Sequence, residues 1–123
     1  METTDAGRLG EVKILSRLTE LGWYPFVDIS GKCPVDIIAW KNGKTKTFQV
    51  KATAYTGTGT KFLVQIGSIR PNRTGNTIKK FDSAGCDYLA VYIIPEDRVV
   101  FIASETIKAG RQITIQNTHL DSF

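Results

Sequence analysis

Histidine is nearly missing from this 123-residue chain: the one example, His119, stands near its end. Chemistry that depends on a histidine base, or on a histidine-rich zinc site, is therefore poorly supported. Cysteine is almost as scarce. Cys33 and Cys86 lie far apart and fit no Cys-x-x-Cys spacing, so they read as two unrelated reduced thiols. No apolar run approaches the roughly 20 residues needed to cross a bilayer, and Met1 to Asp5 lack the basic-then-apolar order of a secretion signal. A cytoplasmic protein with no membrane partner is expected.

What remains is ordinary in amount and uneven in placement. Hydrophobic residues make up 41% and charged residues 23%, the proportions of one folded domain over residues 1–123. Sixteen Lys and Arg against twelve Asp and Glu leave a net charge of +4, a sign compatible with a polyanionic partner. Arg70, Arg73, Lys79 and Lys80 crowd into "RPNRTGNTIKK", which reads as an exposed basic loop able to meet phosphates.

The chain opens with a helix expected from Asp5 to Leu21. Asp5 suits its N-cap, Ile14, Leu15, Leu18 and Leu21 form its apolar stripe, and Gly22 suits its C-cap. "WYPFVDIS" then has strand character, and "GKCP" is a turn before the strand "VDIIAW". Asn42-Gly43 sits between two β-rich runs, because a type I′ turn needs positive φ at both central residues. Residues 35–40 and 45–53 should therefore be antiparallel partners. Beyond them come a strand in "KFLVQIGSI", a short helix around Ile78 to Ser83, and strands in "DYLAVYII" and "VVFIAS". A short helix capped by Ser104 and a fraying tail with an edge strand in "QITIQ" complete an α/β domain.

Counting back from the Asn-Gly turn places Asp36 opposite Gln49, and alternation puts Lys51 on the same face, with Val35, Ile37, Phe48, Val50 and Ala52 on the other. An acid, an amide and an amine thus gather on one side of a hairpin. Glu11 precedes Ile14, Leu15 and Leu18 by three, four and seven residues, so it continues the apolar stripe and points toward the sheet. A carboxylate so placed calls for a cation or a basic partner. Glu11, Asp36 and Lys51 together supply two hard oxygen ligands and an ammonium, the set that metal-assisted phosphodiester hydrolysis requires.

The helix glutamate in "GRLGE", the Pro34-Val35-Asp36 turn and the Gln49-Val50-Lys51 run resemble the PD-(D/E)XK nuclease superfamily. The likeness extends through "CDYLAVYIIPEDRVVFIAS", over about the first hundred residues. It implies a restriction-endonuclease-like core: a mixed central sheet with an N-terminal helix and short flanking helices. Within the superfamily the chain resembles the group containing the cyanobacterial group I intron homing endonuclease, where a glutamine also replaces the usual acid. It is also similar to archaeal Holliday-junction resolvases, which usually carry glutamate at the position of Gln49.

The resemblance implies an Mg²⁺-dependent DNA endonuclease in which Mn²⁺ can substitute. Asp36 and Gln49 would hold the metal, with Glu11 as a direct or water-mediated ligand, and Lys51 would be the catalytic lysine. With an amide at position 49, either Gln49 coordinates through its carbonyl oxygen or the site relies on Glu11, Asp36 and the main-chain carbonyl of Val50. Gly7 and Gly10, with Arg8 between them, would let a phosphate backbone approach the helix. Ser30 and Lys32 before the aspartate, and Tyr55 and Lys61 after the lysine, are further DNA contacts by position, as are Arg70, Arg73, Lys79 and Lys80. The expected partners are double-stranded or branched DNA and further copies of the chain, as a homodimer or homotetramer. Homing cleavage, junction resolution and a non-catalytic DNA-binding module of the same fold all remain open at this point.

Overall fold

The computed structural model describes residues 3–56, 61–72, 75–108, 110–115 and 121–123. Helix α1 spans Thr3–Glu20, so Asp5 lies in its first turn and is not its cap. Its end is a Schellman motif: the Trp23 amide donates to the Leu18 carbonyl at 2.9 Å and the Gly22 amide to Thr19 at 3.0 Å. Gly22 permits this because its φ is +87°.

Four strands follow from the expected segments. They are β1 (Tyr24–Val27), β2 (Ile37–Lys41), β3 (Lys44–Thr53) and a short β4 (Leu63–Gln65); the hairpin strand β5 (Ser68–Asn72) comes next. Then come β6 (Gly75–Lys79), β7 (Tyr88–Ile93), β8 (Arg98–Ala103) and β9 (Gln112–Thr114). The main sheet has the order β1-β2-β3-β7-β8, with β3 and β7 parallel and the other pairs antiparallel. The Asn-Gly register holds: Lys41 faces Lys44 and Ile37 faces Phe48. Asn42 and Gly43 both have positive φ, as that turn requires.

Four expectations are corrected. The basic stretch is no simple loop, because β5 and β6 pair into a separate two-stranded ribbon. That pairing also removes the helix expected from Ile78, since β-branched Thr77 and Ile78 suit a strand. Ser104 caps no helix through its side chain; it is buried in a single 3₁₀ turn, Ser104–Thr106. Nor does the tail simply fray after β9: the Phe123 ring meets Tyr88, Phe101, Phe48 and Trp23 in tilted and edge-on contacts, with centroids 4.8 to 5.4 Å apart, and Arg17 pairs with Asp121.

Helix α1 covers one face of the sheet. Ile14 and Leu18 are fully buried there with Ile37, Ala39, Phe48, Ala90 and Tyr92, each large apolar side chain contributing about 1.5–3 kcal/mol. A second cluster on the other face joins Leu89, Val91, Ile93, Val100 and Ile102 to Val64 and Ile66 and to Ile107 and Ile115. Lys13, Asp97 and Tyr92 pin α1 to the β7–β8 turn, with the Lys13 ammonium 2.9 Å from Asp97 and the Tyr92 hydroxyl donating to Asp97 at 2.7 Å.

Gly10 fixes how closely the helix approaches. A Cβ there would lie 3.2 Å from the Ala52 Cβ, whereas one at Gly7 would meet nothing within 4 Å. Gly10→Val should therefore lower stability by about 1–3 kcal/mol, while Gly7→Ala should be neutral or stabilising by up to about 1 kcal/mol. Urea denaturation measures both, and equal losses would contradict this packing.

Candidate active site

Strand β3 has two different neighbours on its two sides. β2 pairs with it only up to Ile37 and Phe48, while β7 pairs with it from Phe48 to Thr53. Beyond Phe48, the edge of β3 that faces β2 is therefore left without a strand. Backbone groups alternate sides along a strand, so Phe48 and Val50 address that open edge. The Phe48 carbonyl accepts from the Asp36 amide at 3.0 Å, and the Val50 amide donates to Asp36 Oδ2 at 2.8 Å. The Val50 carbonyl addresses the same open edge as its amide.

Asp36 is thus fixed by main chain through one carboxylate oxygen. Burial pushes its pKa up, opposed by the Val50 amide and then by the Lys51 charge. Lys51 is also half-buried, and burial pushes its pKa down, opposed by Asp36. The two groups hold each other in charged form against a partly desolvated setting. Glu11 and Asp36 line one small cleft of about 50 Å³ with Val27, Asp28, Gly31, Cys33 and Val35. The helix and hairpin therefore bring the two acids together as the apolar stripe requires.

Gln49 is placed differently. It lines a pocket of about 330 Å³ with Lys32, Pro34, Val35, Lys80, Phe81, Asp82 and Cys86; of these residues, Val35 also lines the acid cleft. Lys32 and Lys80, both exposed, put two cations beside Gln49. Cys86 is the buried thiol beneath it, 3.4 Å from the Ser104 hydroxyl, and burial pushes its pKa up. Neither cysteine is bridged.

The remaining DNA-contact positions separate into groups. Arg8 is exposed, 3.9 Å from Asp5, and Gly7 is open to solvent. Gly10 is corrected: it is buried against Val50, Ala52 and Tyr92, so its missing side chain admits the sheet and not a phosphate. Tyr55 and Lys61 are exposed beside the end of β3. Arg70 lies on β5 and Lys79 on β6; Arg73 and His119 fall outside the described residues.

Sequence reading missed Asp28. Its carboxylate accepts from the Ser30 amide and hydroxyl and from the amides of Lys32 and Cys33, at 2.6 to 3.1 Å. Those donors, the Ser30 hydroxyl foremost, lower its pKa to about 2. Asp28 thereby shapes the loop that carries Ser30 and Lys32 to the site. The Asp-x-Ser-Gly run at residues 28–31 was the available signal, since such residues fold back on their own backbone.

Among the described residues no group of three or more His, Cys, Asp or Glu is placed to hold a metal ion. Two carboxylates in one cleft and the main-chain carbonyl of Val50 remain, hard oxygen donors that fit Mg²⁺, which is held through one or two carboxylates and keeps several waters. No helix among the described residues is long and apolar enough to cross a membrane.

The PD-(D/E)XK endonuclease family matches residues 1–121, and the chain belongs to it. Its fold matches that of a bacterial homing endonuclease, I-Ssp6803I, with a TM-score of 0.82 at 18% sequence identity, covering 96% of this chain and 80% of that one. This is the restriction-endonuclease-like fold. No curated protein matches the chain.

Raised by burial, the Asp36 pKa makes a contribution to stability that is complete below the ordinary carboxylate value near 3.9 and is lost as pH rises through the folded value. At pH 7 the ionised carboxylate is a liability to the fold. Asp36→Asn, which keeps an acceptor for the Val50 amide, should therefore melt at or above the wild-type temperature at pH 7, with the gap closing below about pH 4. Thermal scans across pH test this, and a large drop in melting temperature at pH 7 would refute it.

Proposed function

We propose that this chain is a divalent-metal-dependent endonuclease of the homing type that hydrolyses phosphodiester bonds in double-stranded DNA. The observation that carries the reading is Asp36 anchored by the Val50 amide at 2.8 Å, with half-buried Lys51 coupled to it and Glu11 in the same cleft. Membership of the PD-(D/E)XK endonuclease family supports it.

Of the two ligand sets expected, the one without Gln49 suits this arrangement: the second oxygen of Asp36, the Glu11 carboxylate and the Val50 carbonyl are the ligands we assign to Mg²⁺, and Gln49 faces the adjoining pocket with Lys32 and Lys80. When bound, the ion supplies Lewis acidity at the scissile phosphate and lowers the pKa of a coordinated water. Asp36 keeps its orientation because its other oxygen is committed to the Val50 amide. Lys51 offers its ammonium to the charge that develops on the phosphate, or orients the attacking water. Lys32 and Lys80, beside Gln49, attract and seat the phosphate backbone. Cutting both strands with so small a chain calls for two sites, so the working unit is a homodimer or homotetramer.

Supercoiled plasmid, random linear duplex, a library of long duplex targets and a synthetic four-way junction, each with Mg²⁺ or EDTA, form the test. Mg²⁺-dependent cutting of duplex is expected. Preference for the junction would replace homing by resolution, and no cutting of any substrate would reduce the protein to a DNA-binding module. Lys51→Ala and Asp36→Ala should each lower the rate by about 10²–10³-fold or more while DNA affinity in EDTA changes little. Full activity in both variants would remove the assigned site.

Mg²⁺ should also raise the melting temperature of wild type and not of Asp36→Ala, since a ligand at 100 times its Kd adds about 2.7 kcal/mol to the state that binds it. Equal shifts in both proteins would place the ion elsewhere.

A further inference from the structure

The sheet is covered on one face and only partly on the other. Leu89 and Val91 are fully buried on the face opposite α1, within the cluster that includes Val64 and Ile66. On that same face β1 and β2 lie bare. Tyr24 is opposite Trp40 and Phe26 opposite Ile38, and these four residues are 64%, 43%, 61% and 43% exposed. The Tyr24 and Trp40 rings stand 6.0 Å apart.

We propose that this bare β1–β2 face is where two copies of the chain associate. Four observations select a second copy. The first is charge. Thr45 and Thr47 continue the face across β3, and the hairpin lysines 41, 44 and 46 pair with or beside residues of the opposite face; among the described residues the cations of this face, Lys51 and the Lys32–Lys80 pair beside Gln49, lie past Thr47 and away from the aromatic β1–β2 end. The second is the edge of β1, which carries Pro25. Proline offers no amide for edge pairing, so association proceeds through the face.

The third is area. Three aromatic rings of roughly 150–250 Å² each, about half exposed, together with Ile38, present on the order of 400 Å² per copy. Fully exposed Ile29, two residues beyond β1, adds to the apolar surface, which takes a two-fold interface toward the roughly 1,000 Å² that a specific contact needs. The fourth is position. Asp36 stands one residue before β2 at the edge of the sheet, so each catalytic site would border the contact and the pair would carry two sites on one assembly. This last argument alone rests on the nuclease reading; the others stand without it.

Light scattering at tens of micromolar, without DNA or metal, reads the result directly. The expected mass is at least twice the 13.6 kDa of one chain. Phe26→Lys and Ile38→Lys should each reduce it at least two-fold, with circular dichroism showing the fold retained. If either lysine variant fails to fold, the double substitution Tyr24→Thr and Trp40→Thr, both to a strand-favouring residue, takes its place with the same expectation. A monomeric wild type at these concentrations overturns the proposal. So does an unchanged mass in folded variants, and if those variants also lose DNA affinity, the face meets DNA instead.

Asp36→Ala should keep the wild-type mass. A protein that cuts nothing yet loses mass on Ile38→Lys would therefore refute the nuclease reading and leave this one intact.

Discussion

The site depends on a mismatch of strand lengths. β2 begins at Ile37, while β3 runs on to Thr53, so the middle strand of the sheet has an unpaired main-chain edge at Val50. A buried amide without a partner is costly. Asp36 satisfies it, and that bond fixes the orientation of the carboxylate. The same shortfall of β2 leaves room for a ligand beside the carboxylate. Polar main chain, acid and cleft are thus consequences of one truncated strand.

The surrounding structure serves that edge. Gly10 lets α1 sit against Val50 and Ala52, which carries Glu11 to the Asp36 cleft. The parallel pairing of β3 with β7 places Lys51 beside Val91, and the desolvation that follows depresses its proton affinity. Asp28 gathers the amides of the preceding loop, so the approach to Asp36 is shaped before any ligand arrives. Each contribution is local, and together they make a small site out of few charged residues.

Much of this was legible in the sequence, because the Asn42-Gly43 turn determines the hairpin register and alternation then assigns faces. Asp36, Gln49 and Lys51 became candidates in that way, and Glu11 through its position on the apolar stripe. The bond from the Val50 amide was not legible, since a main-chain donor has no sequence signature and its vacancy arises only where β2 stops. The basic stretch misled for a related reason. Arg70, Pro71 and Asn72 read as loop residues, and only the pairing of β5 with β6 makes them a ribbon. Gly10 read as an opening for phosphate because its neighbours on β3 and β7 are distant in sequence. Phe123 likewise gave no sign of docking, because its partners Trp23, Phe48, Tyr88 and Phe101 are scattered along the chain.

Because the partner of Asp36 is main chain, the site has a smaller genetic footprint than its physical extent. Any side chain at position 50 leaves both the amide that orients the acid and the carbonyl beside it in place, and proline alone deletes the donor. Selection at that position then acts on the apolar contact with α1 and not on the chemistry. Lineages can vary residue 50 freely within the limits of helix packing while the orientation of Asp36 is inherited unchanged.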